Sequence, residues 1–120
     1  MTTPTPVDVA DVLDRAADHI DRVGWTQGDW YMATSEQRPE DCSVCAMGAI
    51  SLTLTGNPTP PGPDEEIYGQ MVDLSDLVIS HIEVLGVDLP SWNDEPGRTK
   101  EHVLSAFRST ATALREEVAS

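Results

Sequence analysis

Cys42-Ser43-Val44-Cys45-Ala46-Met47-Gly48-Ala49-Ile50 is the stretch that decides the fold. Apolar and small residues follow one another there without a single charge, and the pattern runs on through Leu52 and Leu54 to Gly56. A helix that is apolar nearly all round belongs in the interior. The sequence therefore predicts a central buried helix over residues 43–55, with Ser43 as its N-cap. Cys45, Gly48, Ala49 and Leu52 fall on one face, where small side chains suit close approach by a neighbour. The cysteines admit two readings. A thiol at a helix N-terminus is favoured as thiolate by the dipole, while an ordinary free Cys is a small buried hydrophobe. The expectation is a buried, reduced, structural Cys45 and a more exposed Cys42.

Three further helices flank this one. Val9, Leu13, Ala16, Ile20 and Val23 recur at steps of four and three, giving helix one over 7–23. Thr5 suits its N-cap, Pro6 its first turn, and Gly24 its end, with Trp25 folding back as an apolar contact. Asp11, Asp14, Asp18 and Asp21 lie on the polar side, where Arg15 and Arg22 stand at i,i+4 spacing from Asp11 and Asp18. Ile67, Met71, Leu74, Val78, Ile82 and Leu85 mark helix three over 64–85, closed by Gly86. Val103, Phe107, Ala111, Leu114 and Val118 mark helix four over 99–117. Residues 25–41 read as a structured loop anchored by Trp25, Trp30 and Tyr31, with room for a short turn or hairpin. Asn57 to Pro63 reads as a stiff proline linker. No sustained strand pattern competes. The fold class is all-α, one four-helix domain over 1–120, with residues 1–5 and 118–120 flexible.

Composition narrows the function. The chain has 120 residues and a net charge of −14, with 7 Lys and Arg against 21 Asp and Glu. Direct binding of nucleic acid is not expected, because phosphate contacts need clustered cations. The longest apolar run is far shorter than the roughly 20 residues that cross a bilayer, and no secretory leader is visible. A soluble cytoplasmic protein is expected. Residues 1–97 hold eighteen acids and three bases, whereas residues 98–120 hold three acids and four bases. The last helix is thus nearly neutral and the rest strongly negative.

Helices joined by short connections pack antiparallel to their neighbours. That arrangement brings Trp25-Thr26-Gln27-Gly28, Cys42, Cys45 and the segment Trp92 to Thr99 to one end, beside two helix N-termini with unpaired N–H groups. Such an end could hold a small anion or a peptide carbonyl. The same residues also have a scaffold reading. Pro96-Gly97 suits a tight turn, Asn93 and Asp94 suit Asx turns, Thr99 suits a cap, and Trp92 can plug the bundle.

Gly24-Trp25-Thr26-Gln27-Gly28, Cys45-Ala46-Met47-Gly48-Ala49 and Trp92-Asn93-Asp94-Glu95-Pro96-Gly97-Arg98-Thr99 together resemble a family of small uncharacterised proteins from actinobacteria and their phages. The similarity spans most of residues 9–115. It implies a cytoplasmic bacterial or phage protein and no particular activity. Of the two cysteines, only Cys45 stands where that family carries one, which weakens any paired-thiol role.

Four functions are weighed. A Cys-x-x-Cys redox centre would want a preceding strand, and a zinc site would need ligands that the scattered His19, His81 and His102 do not supply. A cysteine hydrolase or transferase would use Cys45 as nucleophile, His81 or His102 as base, and Asn93 or Asp94 as the group orienting it. The favoured reading is a binding or regulatory module that acts on another protein, for a phage protein one of the host. It would use Trp25, Gln27, Gly28, Trp92, Asn93, Asp94 and Arg98, or else the acidic face, of which a DNA-mimic inhibitor is one version. No cofactor or metal is expected, and homo-oligomerisation is left open.

Overall fold

Helix α1 (Pro6–Val23) opens on a proline, whose fixed φ and missing N–H cost nothing in a first turn. Its apolar stripe packs inward: Ala10, Leu13, Ala16, Ala17 and Ile20 are fully buried. Gly24 ends the helix at φ +104°, a left-handed value that favours glycine, and its N–H donates to the Ile20 carbonyl at 2.8 Å. The computed structural model describes residues 6–32, 41–58, 62, 65–82 and 87–119. The proposed cap Thr5, helix-three residues Leu85 and Gly86, and most of the proline linker lie outside them, as does the Val118 side chain.

The chain then departs from a four-helix plan. Strand β1 (Tyr31–Met32) pairs antiparallel with strand β2 (Ser43–Val44), Tyr31 facing Val44. Val44 is also bridged to Trp25 in parallel. Its N–H donates to the Gly24 carbonyl at 3.1 Å, and its carbonyl accepts from Thr26 N–H at 3.0 Å. These bonds hold Ser43 and Val44 extended. Helix α2 (Ala46–Thr55) consequently starts three residues later than predicted. Ser43 does not cap it; the Ser43 hydroxyl donates to the Val23 carbonyl at 3.1 Å, closing the end of α1 instead. Gly56, at φ +81°, terminates α2 as expected.

Helices α3 (Glu66–His81), α4 (Leu89–Asn93) and α5 (Lys100–Ala119) complete the described fold. Helix α4 is an element that apolar periodicity did not predict. Asp88 caps it by accepting from Ser91 N–H at 2.9 Å, a bond that lowers the Asp88 pKa. Helix α5 runs through residues 118 and 119. The fold is mostly helical: among the described residues there are five helices and one two-stranded ladder. Residues 46–52 of α2 are all buried, as its composition required.

Helices α1 and α5 are joined by an ionic ladder. Arg115 reaches Asp11 at 2.8 Å and Asp14 at 2.6 Å, Arg108 reaches Asp18 at 3.0 Å, and Lys100 reaches Asp21 at 3.3 Å. Positions ascend along α1 as they descend along α5, so the two helices are antiparallel. Asp11 and Asp18, expected to pair along their own helix, reach across to α5. Solvent-exposed pairs contribute little singly, and networks contribute more. Arg115→Glu should lower the melting temperature more than Arg15→Glu, which alters an exposed α1 residue outside the ladder. The difference should shrink as salt is raised. Equal shifts at low salt would remove the ladder from the stability of the fold.

Candidate functional site

Asn93 is the node of the expected end. It is fully buried, and an amide side chain has two acceptor and two donor positions to satisfy. Its Oδ1 accepts from Trp25 Nε1–H at 2.8 Å and from the Ala46 N–H at 3.0 Å. Its Nδ2 donates to the Thr26 carbonyl at 3.2 Å and to Asp94 Oδ1 at 2.9 Å. One side chain thereby ties the loop after α1, the start of α2 and the end of α4.

The rim of this knot is equally interlocked. Gln27 Nε2 donates to the Asn93 and Glu95 carbonyls, both at 3.0 Å, and so closes the end of α4. Gly28 N–H donates to Asp94 Oδ1 at 2.9 Å. Arg98 N–H donates to the Glu95 carbonyl at 3.0 Å, and Gly97 takes φ +86°. That is the Pro-Gly turn read from sequence. The Arg98 guanidinium stacks 4.2 Å over the buried Trp92 ring, while Nε donates to the Trp92 carbonyl at 3.0 Å and Nη2 pairs with Glu95. Trp25, Gln27, Gly28, Trp92, Asn93, Asp94 and Arg98 are therefore brought together. Trp92 and Asn93 are buried, Trp25 and Arg98 half-buried, and Gln27, Gly28 and Asp94 exposed.

The two helix starts at this end are already capped. Cys45 is the N-cap of α2: its backbone is extended, and its Sγ accepts from Gly48 N–H at 3.3 Å. Asn93 takes the Ala46 N–H beside it. At the start of α5, His102 N–H donates to Thr99 Oγ1 at 3.2 Å, and Thr99 N–H donates back to His102 Nδ1 at 3.1 Å. This reciprocal pair has the logic of a capping box with an imidazole in place of the usual carboxylate. Of the N–H groups expected to form an anion cradle, those of Ala46, Gly48 and His102 are thus engaged from within.

Gly48 shows why the second phrase contains a glycine. The Trp30 carbonyl accepts from Cys45 N–H at 3.0 Å and lies against the first turn of α2. A Cβ on Gly48 would overlap that carbonyl oxygen and stand 3.0 Å from its carbon.

The cysteine chemistry follows from burial. Cys42 is 0 % exposed and Cys45 5 %, so Cys42 is not the more accessible thiol that the sequence suggested. Burial raises the Cys45 pKa, partly offset by the Gly48 and Met47 N–H groups, and the nearby Asp94 carboxylate raises it further. A thiol of this kind is neutral at neutral pH. The exposed His102 lends its Nδ1 to the α5 cap, and His81 is exposed in the last turn of α3. Among the described residues no histidine is hydrogen-bonded to Cys45, and no three His, Cys, Asp or Glu side chains gather as a metal site. Both cysteines should resist alkylation of the folded protein at pH 7 and react fully after denaturation. Cys45 modified within minutes at pH 7 would contradict the raised pKa. Because the folded thiol titrates above the unfolded one, its contribution to stability is complete below the ordinary thiol pKa and is lost as pH rises through the folded value.

Sequence periodicity missed the Asn93 node, the Cys45 cap and the role of Gly48. The signal available for the first was Asp88 followed by Pro90, a helix-start pattern directly before Trp92-Asn93. No helix among the described residues is long and apolar enough to cross a membrane. Comparison with curated proteins and with solved structures gives no match. The chain belongs to a family of unknown function (DUF6197), whose model matches residues 4–113.

Proposed function

We propose that this member of the family is a small acidic cytoplasmic module, of actinobacterial or phage origin, that acts by binding another protein and performs no chemistry itself. Its contact surface is the rim around the Asn93 knot: Trp25, Gln27, Gly28 and Asp94, with Trp92 and Arg98 stacked beneath. The observation that carries the reading is the saturation of Asn93. All four of its hydrogen-bonding positions are used inside the molecule, so the node holds a surface in shape instead of meeting a substrate. A surface ordered before binding loses little freedom on binding, which favours affinity. The half-buried Trp25, Trp30 and Tyr31 supply rigid aromatic area at the same end. The buried, neutral Cys45 and the capped His102 count against a cysteine hydrolase or transferase. The ion-paired row on α1 counts against a DNA mimic built on those carboxylates.

The test is affinity capture from the native host with wild type and with two exposed rim variants, Asp29→Lys and Pro96→Arg. Each should keep the wild-type melting temperature and lose the captured protein. Capture through the rim should also persist at 300 mM salt, because aromatic contacts are screened less than charge pairs. Stoichiometric capture unaffected by both variants would overturn the assignment to this surface.

A further inference from the structure

A second surface, away from the loop end, is written on α3. Its buried side is Met71, Leu74, Ser75 and Val78. Its outward side carries Tyr68, 40 % exposed, and Val72, 37 % exposed, the two exposed large hydrophobic residues among those described. Tyr68 and Val72 are one helical turn apart and form an apolar edge. Beside them Glu65, Asp73 and Asp76 are exposed. Gly69 lies between these two borders.

Gly69 has no explanation within the fold. It sits inside a helix, where glycine costs about 1 kcal/mol relative to alanine. A Cβ placed on it would meet nothing within 4 Å, and its φ is not in the left-handed range. The backbone at Gly69 is thus left bare toward solvent, next to exposed apolar side chains. A glycine at such a place permits close approach of a second backbone, as Gly48 does inside the molecule.

The charge around this face selects the visitor. Residues 39–97 contain eleven Asp and Glu and no Lys or Arg. The acids of α1 are matched by Lys100, Arg108 and Arg115, but α3 carries no Lys or Arg. A second copy of the chain would bring the same acidic helix and the same net charge of −14. Nucleic acid and anionic membranes carry the repelled sign. We propose that the outward face of α3, with Tyr68, Val72 and Gly69 flanked by Glu65, Asp73 and Asp76, docks a cationic amphipathic helix of another protein. The apolar edge of the visitor covers Tyr68 and Val72, its backbone crosses at Gly69, and Lys or Arg on its flanks meet the carboxylates.

The probe is a synthetic amphipathic helix with leucines on one face and lysines on its flanks. A scrambled peptide of the same composition serves as control. Titration into isotope-labelled full-length protein should shift the amides of residues 65–76. The scrambled peptide should bind at least tenfold more weakly. Gly69→Gln should keep or raise the melting temperature, since nothing crowds the position, and should weaken the helical peptide at least tenfold. Tyr68→Ser with Val72→Ser should do the same, and Asp73→Asn with Asp76→Asn should lower affinity several-fold and flatten its salt dependence. Equal binding of the scrambled peptide, undiminished binding to Gly69→Gln, or shifts confined to the loop end would each overturn the proposal. A host protein captured through the Asn93 rim leaves this outcome unaffected, so the two surfaces are judged separately.

Discussion

Asn93→Ala should destabilise the protein by about 4 kcal/mol, the largest loss expected from any single side chain. The substitution leaves the buried Ala46 N–H and the half-buried Trp25 indole N–H and Thr26 carbonyl without their partner. Each buried polar group left unsatisfied costs about 1–3 kcal/mol, and relaxation keeps the total below the sum. For a chain of this size the shift should exceed roughly 10 °C in melting temperature. Asn93→Asp separates the two halves of the amide. It keeps both acceptor bonds but sets a second carboxylate against Asp94 and the Thr26 carbonyl. That variant should be nearly as unstable at pH 7 and recover part of the loss at acidic pH, when the new carboxyl can donate. Denaturant titration at both pH values checks the pair. A loss under 1 kcal/mol for Asn93→Ala would mean that the knot contributes little to folding.

Gly48→Ala should be the second most damaging small change. Added helix propensity would by itself stabilise α2 by about 1 kcal/mol. Against that stands the overlap of the new methyl with the Trp30 carbonyl, which is backbone and cannot rotate away. Relief requires the backbone at Trp30, directly before β1, to lift, losing the Cys45 N–H bond and straining the β1–β2 pairing. Overpacking of this kind costs about 3 kcal/mol, so a net loss of about 2 kcal/mol is expected. Gly69→Ala is the internal control, because open space there leaves only the propensity gain. Opposite signs in thermal melts would show that packing, and not helix preference, fixes Gly48. Two losses or two gains would contradict it.

The parts of the fold that were legible in the sequence are those written in neighbouring residues. The stripe of α1 was readable because Leu13, Ala16 and Ile20 follow helical spacing, and all three are fully buried. Phe107 and Ala111 on α5, Met71 and Val78 on α3, and the stops at Gly24 and Gly56 were readable for the same local reason. The convergence of the three phrases also followed from antiparallel packing. The parts that were not legible depend on partners far away in the chain. Nothing near Asn93 announces bonds to Trp25, 68 residues earlier, or to Ala46, 47 residues earlier. Ser43 looked like the better cap than Cys45 by residue type, yet Val44 is pinned extended by Gly24 and Thr26 and moves the helix start past it. The cross-helix pairing of the α1 acids was not legible because their cations lie on α5, beyond the reach of any i,i+4 rule.

The antiparallel ladder between α1 and α5 also sets a schedule for the chain as it is made. Helix α1 finds its ionic partners on α5, which is made well after it. Until Lys100 to Arg115 emerge, Leu13 and Ile20 lack the α5 side of their core. The earlier helices can gather sooner, but the domain cannot close before α5 has been made. Nascent chains stalled before residue 100 should therefore be cut readily within α1 by a protease, and released full-length chains should resist it. Closure of this domain therefore waits on α5, and a chain cut short before residue 100 leaves Asp11, Asp14, Asp18 and Asp21 without their cations.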